Sequence, residues 1–383
     1  MNNWQNGILS DVAEIDMGQS PSGEYCSTNN IGLPLLNGPT EFTINSPIPV
    51  QFTSDPKRLS RVGDLLFCVR GSTTGKMNWS DQVYAIGRGI AAIRHKKSQN
   101  LNRFIRAIIE YNLEELLAGA TGSTFPNVSG QDLKSIQIDI PTPQEQESIA
   151  EVLSSLDDKI DLLHRQNKTL EELAETLFRQ WFVEEAEAYT TLSSYAKVVA
   201  GYAFKSSDFK EEGNNRVIKI TNIDFESVDV NKTQFINLEI NSKLNKYVIP
   251  AGAFVIAMTG AEIGKIGIVP KASKTLLLNQ RVGLLVDNVP GGSIIGYLFL
   301  RSIEGQDFII NEASGSAQPN ISTTGIESMK VPQLDNEKLK KLITLLNPLF
   351  SKKLENLNQI NTLENLRDTL LPKLMCGAVR VIN

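Results

Sequence analysis

ATGSTFPNVS, from Ala120 to Ser129, returns as ASGSAQPNIS from Ala313 to Ser322, with six identities in ten and an offset of 193. Farther along, TLEELAETL (Thr169 to Leu177) returns as TLENLRDTL (Thr362 to Leu370), with six identities in nine and the same offset. Two separate matches in one register make the chain a tandem duplication, and a repeat constrains architecture before any local signal does. Toward the N-terminus the likeness weakens: LSDVAEIDMG (Leu9 to Gly18) faces LSSYAKVVAG (Leu192 to Gly201), and Gly75-Lys76 faces Gly264-Lys265. Those offsets are 183 and 189, so the second copy carries short insertions early while its downstream part stays in step.

Each copy divides into a globular part (1–140 and 188–331) and a helix-rich part (141–187 and 332–383). In the globular parts, runs such as Asp64 to Val69 and Ala253 to Met258 lie between Gly, Asn and Ser clusters and predict strands. Phe104 to Leu117 and Ile295 to Ile303 have the apolar spacing of helices. The expected fold class is α+β, with mixed sheet and helices in two tandem domains. A chain of 383 residues, 41% hydrophobic and 21% charged, is long enough to give each domain its own core.

The segment PTPQEQESIAEVLSSLDDKIDLLHRQNKTLEELAETLFRQWF, from Pro141, opens with the proline and acidic residues of a helix start and meets no breaker before Phe182. Leu156, Leu163, Leu170 and Leu177 fall seven apart, with Leu153, Ile160, Asn167 and Ala174 between them, which predicts a heptad seam. Asn167 is the polar member of that seam and can fix its register. After Pro332 the second copy offers Leu342, Leu346, Leu349, Leu357, Ile360, Leu363, Leu366 and Leu370, with Pro348 and Pro372 expected to disturb its ends. Residues 141–187 carry 4 basic and 12 acidic side chains, and residues 331–383 carry 8 and 5, so the two helices attract each other. An antiparallel coiled coil between them is expected. At about 1.5 Å per residue, roughly 40 residues make a rod of about 60 Å, longer than the turn of about 34 Å of B-DNA.

The formal charge of -5 comes from the first helical segment. The globular parts are near neutral, with 12 basic against 13 acidic residues in 1–140 and 14 against 13 in 188–330, which permits nucleic-acid binding without predicting it. Cys26, Cys68 and Cys376 are far apart and His95 and His164 have no Cys, His or paired carboxylate nearby, so neither a disulfide framework nor a metal site is expected. MNNWQNG lacks the basic and apolar regions of a leader, and apolar runs such as Ile294 to Leu300 fall far short of a bilayer. A soluble cytoplasmic protein is expected. Gly71 to Met77 (GSTTGKM) and Gly260 to Ile266 (GAEIGKI) have three residues between their glycines where a phosphate loop has four, and lack its Ser/Thr, so both read as β-turns. No Asn/Asp-Pro-Pro-aromatic motif or Gly-rich donor loop supports methyl transfer by this chain alone. Asp55 and Lys57 read as a solvated turn.

Two divergent globular units, each followed by a proline-led helical block, resemble the specificity (S) subunit of Type I restriction-modification systems. The stretches that carry the resemblance are LPLLNGPTEF (Leu33 to Phe42), Gly63 to Phe67 with the Gly75-Lys76 turn, PTPQEQESIAEVLSSLDDKIDLL, TLLPKLMCG (Thr369 to Gly377) and the Pro-Asn-Val/Ile-Ser turns. It covers essentially the whole chain. The resemblance implies two target recognition domains, each reading one half of a split, asymmetric sequence in double-stranded DNA. It also implies that the paired helices act as spacer and dock two methyltransferase subunits, with restriction/translocase subunits completing the assembly. S-adenosylmethionine, ATP and Mg would belong to those partners, leaving this chain non-catalytic and without a cofactor. The second helical block, DNEKLKKLITLLNPLF, is more basic than the first and departs from the family's pattern.

Base edges are read by Arg, Lys, Asn and Gln, and phosphates are fixed by Ser, Thr and backbone amides. On that chemistry the candidates in the first unit are Asn37, Thr40, Arg70, Ser72, Thr74, Lys76 and Arg88, all in or beside turns assigned to the DNA face. Their counterparts are Thr221, Asn222, Thr259, Lys265, Asn279, Gln280 and Arg281. The alternative is a coiled-coil scaffold with two β-rich modules for protein or carbohydrate, which salt-sensitive DNA binding would distinguish.

Overall fold

Leu65-Leu66-Phe67-Cys68-Val69 shows no polar alternation because its strand, Leu65–Cys68, is covered on both faces. Leu65, Phe67 and Val69 face a core shared with the helix Asn102–Tyr111, while Leu66 faces a smaller core with Leu36, Tyr84 and Ile86. In the second copy Phe254 and Ile256 face one core and Val255 and Ala257 another. The computed structural model describes residues 4–43, 46–120, 126–184, 186–313 and 319–381. The middle of the repeated ten-residue stretch, 121–125 and 314–318, lies outside the described residues.

The chain forms two units, Met1–Leu162 with Thr362–Asn383, and Leu163–Asn361. In the first, the strands Ala13–Met17, Ile90–His95, Leu65–Cys68 and Met77–Trp79 make an antiparallel sheet in that order. A second sheet follows the order Cys26–Ser27, Gln51–Thr53, Leu33–Leu36, Ala85–Ile86, the last two parallel. The second unit repeats the plan with Ala196–Ala200, Val282–Asp287, Phe254–Ala257 and Ile266–Ile268. Its other sheet has five strands, and Asn215–Ile218 lies parallel to Thr275–Leu278. The expected helix Phe104 to Leu117 is two helices, Asn102–Tyr111 and Leu113–Gly119.

Arg94, 6% exposed on its strand, grips Asp64 with two bonds, Nε to Oδ1 at 2.8 Å and Nη2 to Oδ2 at 2.6 Å, and reaches Asp16 at 2.7 Å. The Gly-Asp-Leu-Leu-Phe signature therefore carries a buried ion pair as well as a strand. The matched positions of the second unit hold Ala253 and Val286.

The first long helix runs Pro143–Phe178 and passes into a wide π-type turn, Arg179–Glu184. Thr142 and Glu145 cap it reciprocally, Thr142 N donating to Glu145 Oε2 at 3.2 Å and Glu145 N to Thr142 Oγ1 at 3.4 Å. The second long helix runs Asn336–Met375, with Asp335 Oδ1 accepting from Lys338 N at 2.8 Å. Its prolines do not interrupt it, contrary to expectation. Pro348 and Thr344, whose carbonyl loses a partner, are both exposed, so solvent satisfies the freed group.

Within each unit the helices run antiparallel. In the first, Arg367 donates to Asp157 at 3.1 Å and Arg380 lies 3.7 Å from Glu145, while Ile149, Ala150 and Leu153 pack in one core with Leu374 and Met375. In the second, Asn356 donates to Asn167 at 3.0 Å and Lys353 to Glu171 at 2.8 Å. The seam departs from the heptad expectation. Leu153, Ile160, Leu163, Asn167 and Ala174 are buried as expected, but Leu156, Leu170 and Leu177 are half-buried, and Glu171 and Phe178 join the buried line. A helix of 3.6 residues per turn drifts off a 3.5-residue seam, and past Asn167 the drift brings the next residue inward. On the second helix Leu346, Leu357 and Ile360 are buried with Lys353 and Asn356. Leu349, Leu363 and Leu370 are half-buried, and Leu366 is exposed.

Candidate nucleic-acid interface

Parallel strands end on the same side, and in each unit one parallel pair delivers its following loops to one edge. In the first unit Leu36 leads to Asn37 and the turn Pro39–Glu41, while Ile86 leads to Gly87-Arg88-Gly89. Gly87 N donates to Leu36 O at 2.8 Å. A Cβ on Gly89 would stand 2.2 Å from Asn37 O, so only glycine lets these loops meet. Asn37 Nδ2 donates to Gln51 Oε1 at 2.9 Å, and Ser20 Oγ accepts from Arg88 N at 3.2 Å. Arg88 is exposed, and its guanidinium makes no hydrogen bond or ion pair among the described residues.

A second pair of loops joins this edge. Val69 N donates to Gly89 O at 2.9 Å and Val128 N to Val69 O at 2.8 Å, and Arg70 bridges Asn127. Thr74 Oγ1 lies 2.8 Å from Gly71 O and 2.9 Å from Pro126 O, so this hydroxyl fastens its own turn to the Pro-Asn-Val-Ser turn. Thr40, Arg70, Ser72 and Lys76 are exposed.

The second unit repeats the main bonds of the frame. Met258 N donates to Arg281 O at 3.0 Å, as Val69 does to Gly89, and Ile321 N to Met258 O at 3.0 Å, as Val128 does to Val69. Tyr202 N donates to Leu278 O at 2.8 Å, as Gln19 N does to Ile86 O at 2.9 Å. Thr221, Asn279, Gln280 and Arg281 line one cleft of about 390 Å³ together with Phe204, Ser206, Phe209, Lys219 and Ile220. Arg281 N donates to Asn279 Oδ1 at 3.2 Å, leaving the guanidinium exposed. Burial beside Phe209 lowers the Lys219 ammonium from the ordinary lysine range.

Like Thr74 in the first unit, two candidates of the second are tied up. Asn222 is buried, its Oδ1 accepting from Lys219 N at 2.9 Å and its Nδ2 donating to Lys232 O at 3.3 Å, so it holds the turn and presents no free edge. Lys265 pairs with Glu262 at 2.6 Å, and that carboxylate raises its pKa. The Thr259 hydroxyl is shielded from solvent and makes no hydrogen bond among the described residues, while its backbone bridges Asn320. Sequence reasoning missed Ser20, Gln51, Phe204, Phe209 and Lys219. The match of Gly18 to Gly201 was the available signal, since Ser20 and Phe204 follow those glycines closely.

The residues weighed for chemistry take structural places. His95 is buried, its Nδ1 accepting from Lys97 N at 3.1 Å, and burial lowers its pKa. Asp55 pairs with Lys57 at 2.5 Å in a partly exposed turn. Gly75 and Gly264 sit at φ 94° and 85°, a turn conformation other residues resist. The Gly-Lys strings are therefore turns. Among the described residues no group of three or more His, Cys, Asp and Glu could hold a metal ion, and no helix is long and apolar enough to cross a membrane.

A duplicated α+β module with one matched loop edge per copy, each copy backed by paired helices, defines a tandem recognition protein. The chain belongs to the family of the Type I restriction modification DNA specificity domain, whose model matches residues 1–172 and again 188–365. It is 27% identical over 283 residues to the Type I restriction enzyme MjaIX specificity subunit of Methanocaldococcus jannaschii, covering 68% of this chain and 64% of that protein, just under two thirds of its length. It is 22% identical over 476 residues to the Type I restriction enzyme HindI specificity subunit of Haemophilus influenzae, covering 99% and 100% of the two chains. Among solved structures, the S subunit of a Type I restriction-modification system from M. genitalium shares the fold with a TM-score of 0.62 at 18% identity, over 98% of this chain and 96% of that one.

Proposed function

We infer that this chain is the DNA-specificity subunit of a Type I restriction-modification assembly, and that each unit's loop edge reads one half of a bipartite, asymmetric target in double-stranded DNA. One observation carries the reading. The main backbone bonds of the edge recur in both units, yet the edge presents Ser20, Asn37 and Arg88 in one and Lys219, Gln280 and Arg281 in the other. A constant frame with different hydrogen-bonding groups is what two readers of two different sequences require.

On this reading the long helices set the separation of the half-sites and dock two methyltransferase subunits, with restriction/translocase subunits joining the assembly. S-adenosylmethionine, ATP and Mg act in those partners, and this chain contributes recognition without bond chemistry, in the cytoplasm. The test is to map methylated adenines genome-wide with the chain and its methyltransferase partner expressed, before and after exchanging residues 1–140 for those of another family member. One half of the mapped sequence changes and the other stays. A change in both halves, or no sequence preference at all, overturns the reading.

A further inference from the structure

Beside the reading edge of the second unit, four aromatic rings form a chain. Centroids are 5.5 Å apart from Tyr247 to Tyr202, 5.0 Å from Tyr202 to Phe204, and 6.3 Å from Phe204 to Phe209. Three ammonium groups rest on it: Lys219 at 3.8 Å from the Phe209 centroid, Lys243 at 5.8 Å from Tyr202, and Lys246 at 4.9 Å from Tyr247. Ring faces attract cations and so hold long side chains in place before any anion arrives. Lys243 and Lys246 are exposed, Lys219 Nζ also donates to Gln234 Oε1, and none of the three lysines forms an ion pair among the described residues. The chain of rings adjoins the edge itself, since Gln280 N donates to Tyr202 O at 3.0 Å and Phe204, Phe209 and Lys219 line the cleft with Gln280 and Arg281.

Among the described residues the first unit has no such rack in the same frame. Gln19 stands where the second unit has Tyr202, and Asn37 where it has Lys219. Arg58 O accepts from Ile86 N as Tyr247 O accepts from Leu278 N, both at 2.9 Å, so Arg58 takes the place of Tyr247. The neighbouring Lys57 is held by Asp55.

We propose that Lys219, Lys243 and Lys246 hold backbone phosphates of the duplex beside the second unit's half-site, so that the phosphate grip is concentrated on the second unit. Rings already covered by ammonium groups are poor stacking platforms for bases. What they offer a duplex is a row of fixed positive charge, which meets phosphates irrespective of sequence. The first unit then reads chiefly through neutral groups together with Arg70 and Arg88.

This inference rests on the proposed function, and the experiment separates the two. The full chain, assembled with its methyltransferase partner, is titrated against a duplex of about 40 base pairs carrying the mapped target and a scrambled duplex of equal length, from about 50 to 200 mM KCl. Each phosphate that is no longer neutralised lowers the slope of log K against log salt by about 0.9. The Lys243→Gln/Lys246→Gln variant is expected to lower the slope by about two, weakening both duplexes alike, and Lys219→Gln by about one. Lys57→Gln/Arg58→Gln is expected to lower it by less than about one. Specific, salt-sensitive binding by the unaltered chain with an unchanged slope in K243Q/K246Q overturns the phosphate assignment alone. An equal fall in K57Q/R58Q overturns the asymmetry. No preference of the unaltered chain for the mapped target overturns the proposed function instead.

Discussion

Asp64 and Arg94 place opposite charges side by side in the first unit's central sheet, where each is almost wholly buried. Removing one partner of such a pair strands the other, at a cost of about 3 kcal/mol. Asp64→Ala should therefore lower the stability of the first unit by about that amount, read as a shift of its urea midpoint; Asp16 remains to hold Arg94 in part. Tyr84 is fully buried with its hydroxyl donating to Asp81 Oδ1 at 2.6 Å, and burial first, then that carboxylate, push its pKa up to about 12. An unfolded tyrosine ionises near 10. Between those values the unfolded chain has given up the proton that the folded one keeps, so stability falls as pH rises from about 10 to about 12 and is undiminished below. Tyr84→Phe should flatten that alkaline loss in urea midpoints taken at both ends of the window. At the reading edge, Arg88→Ala and Gln280→Ala should each relax preference at positions of one half-site only, by about 1–3 kcal/mol per base pair, as methylation mapping of the two variants would show.

Glu171 and Lys353 belong to the scale of elements, because they decide how the two long helices of the second unit meet. Tyr297 donates to the same Glu171 oxygen at 2.5 Å, joining the helix Gly292–Arg301 to both of them. Arg301 Nη2 also lies 3.4 Å from Glu171 Oε2, so Lys353→Met leaves that carboxylate one of its two cations and should destabilise the unit by less than the roughly 3 kcal/mol of a fully stranded charge, read as a shift of its urea midpoint. Glu171→Leu should cost more, because Lys353, Arg301 and the Tyr297 hydroxyl all lose their acceptor, and adding Lys353→Met should recover only part of that loss in a double-mutant cycle, since Arg301 is left with Glu175. These residues also show where sequence reading ends. The duplication, the long helices and their opposed charge were legible in residue spacing, because helices impose a period and repeats impose an offset. Glu171 and Lys353 were not, because a heptad template assigns leucines to the seam and cannot foresee the drift that turns a carboxylate and an ammonium inward together. At the edge, Arg88, Gln280 and Arg281 could be named from chemistry and their place in turns. Asn222 could not be told from a reader, since only the fold shows that backbone groups occupy both ends of its amide.

Across the whole molecule, the proposed ruler has a direct test. Deleting one turn, about 5.4 Å, from each long helix should change the number of unread base pairs between the half-sites by one or more. An unchanged gap in the methylation map removes the ruler from the reading. The first unit, meanwhile, is assembled from distant stretches of chain: Leu374 and Met375 lie in one core with Ile149, Ala150 and Leu153. A ribosome makes the earlier stretch first, and at about 5–20 residues per second the later one follows on the order of tens of seconds afterwards. Throughout that interval Ile149 and Leu153 lack the cover of Leu374 and Met375, and whatever holds nascent chains in the cell has that long to bind them. Completion of the first unit thus waits on codons that come after the whole of the second, so an mRNA broken in between yields a product whose opening half stays unfinished.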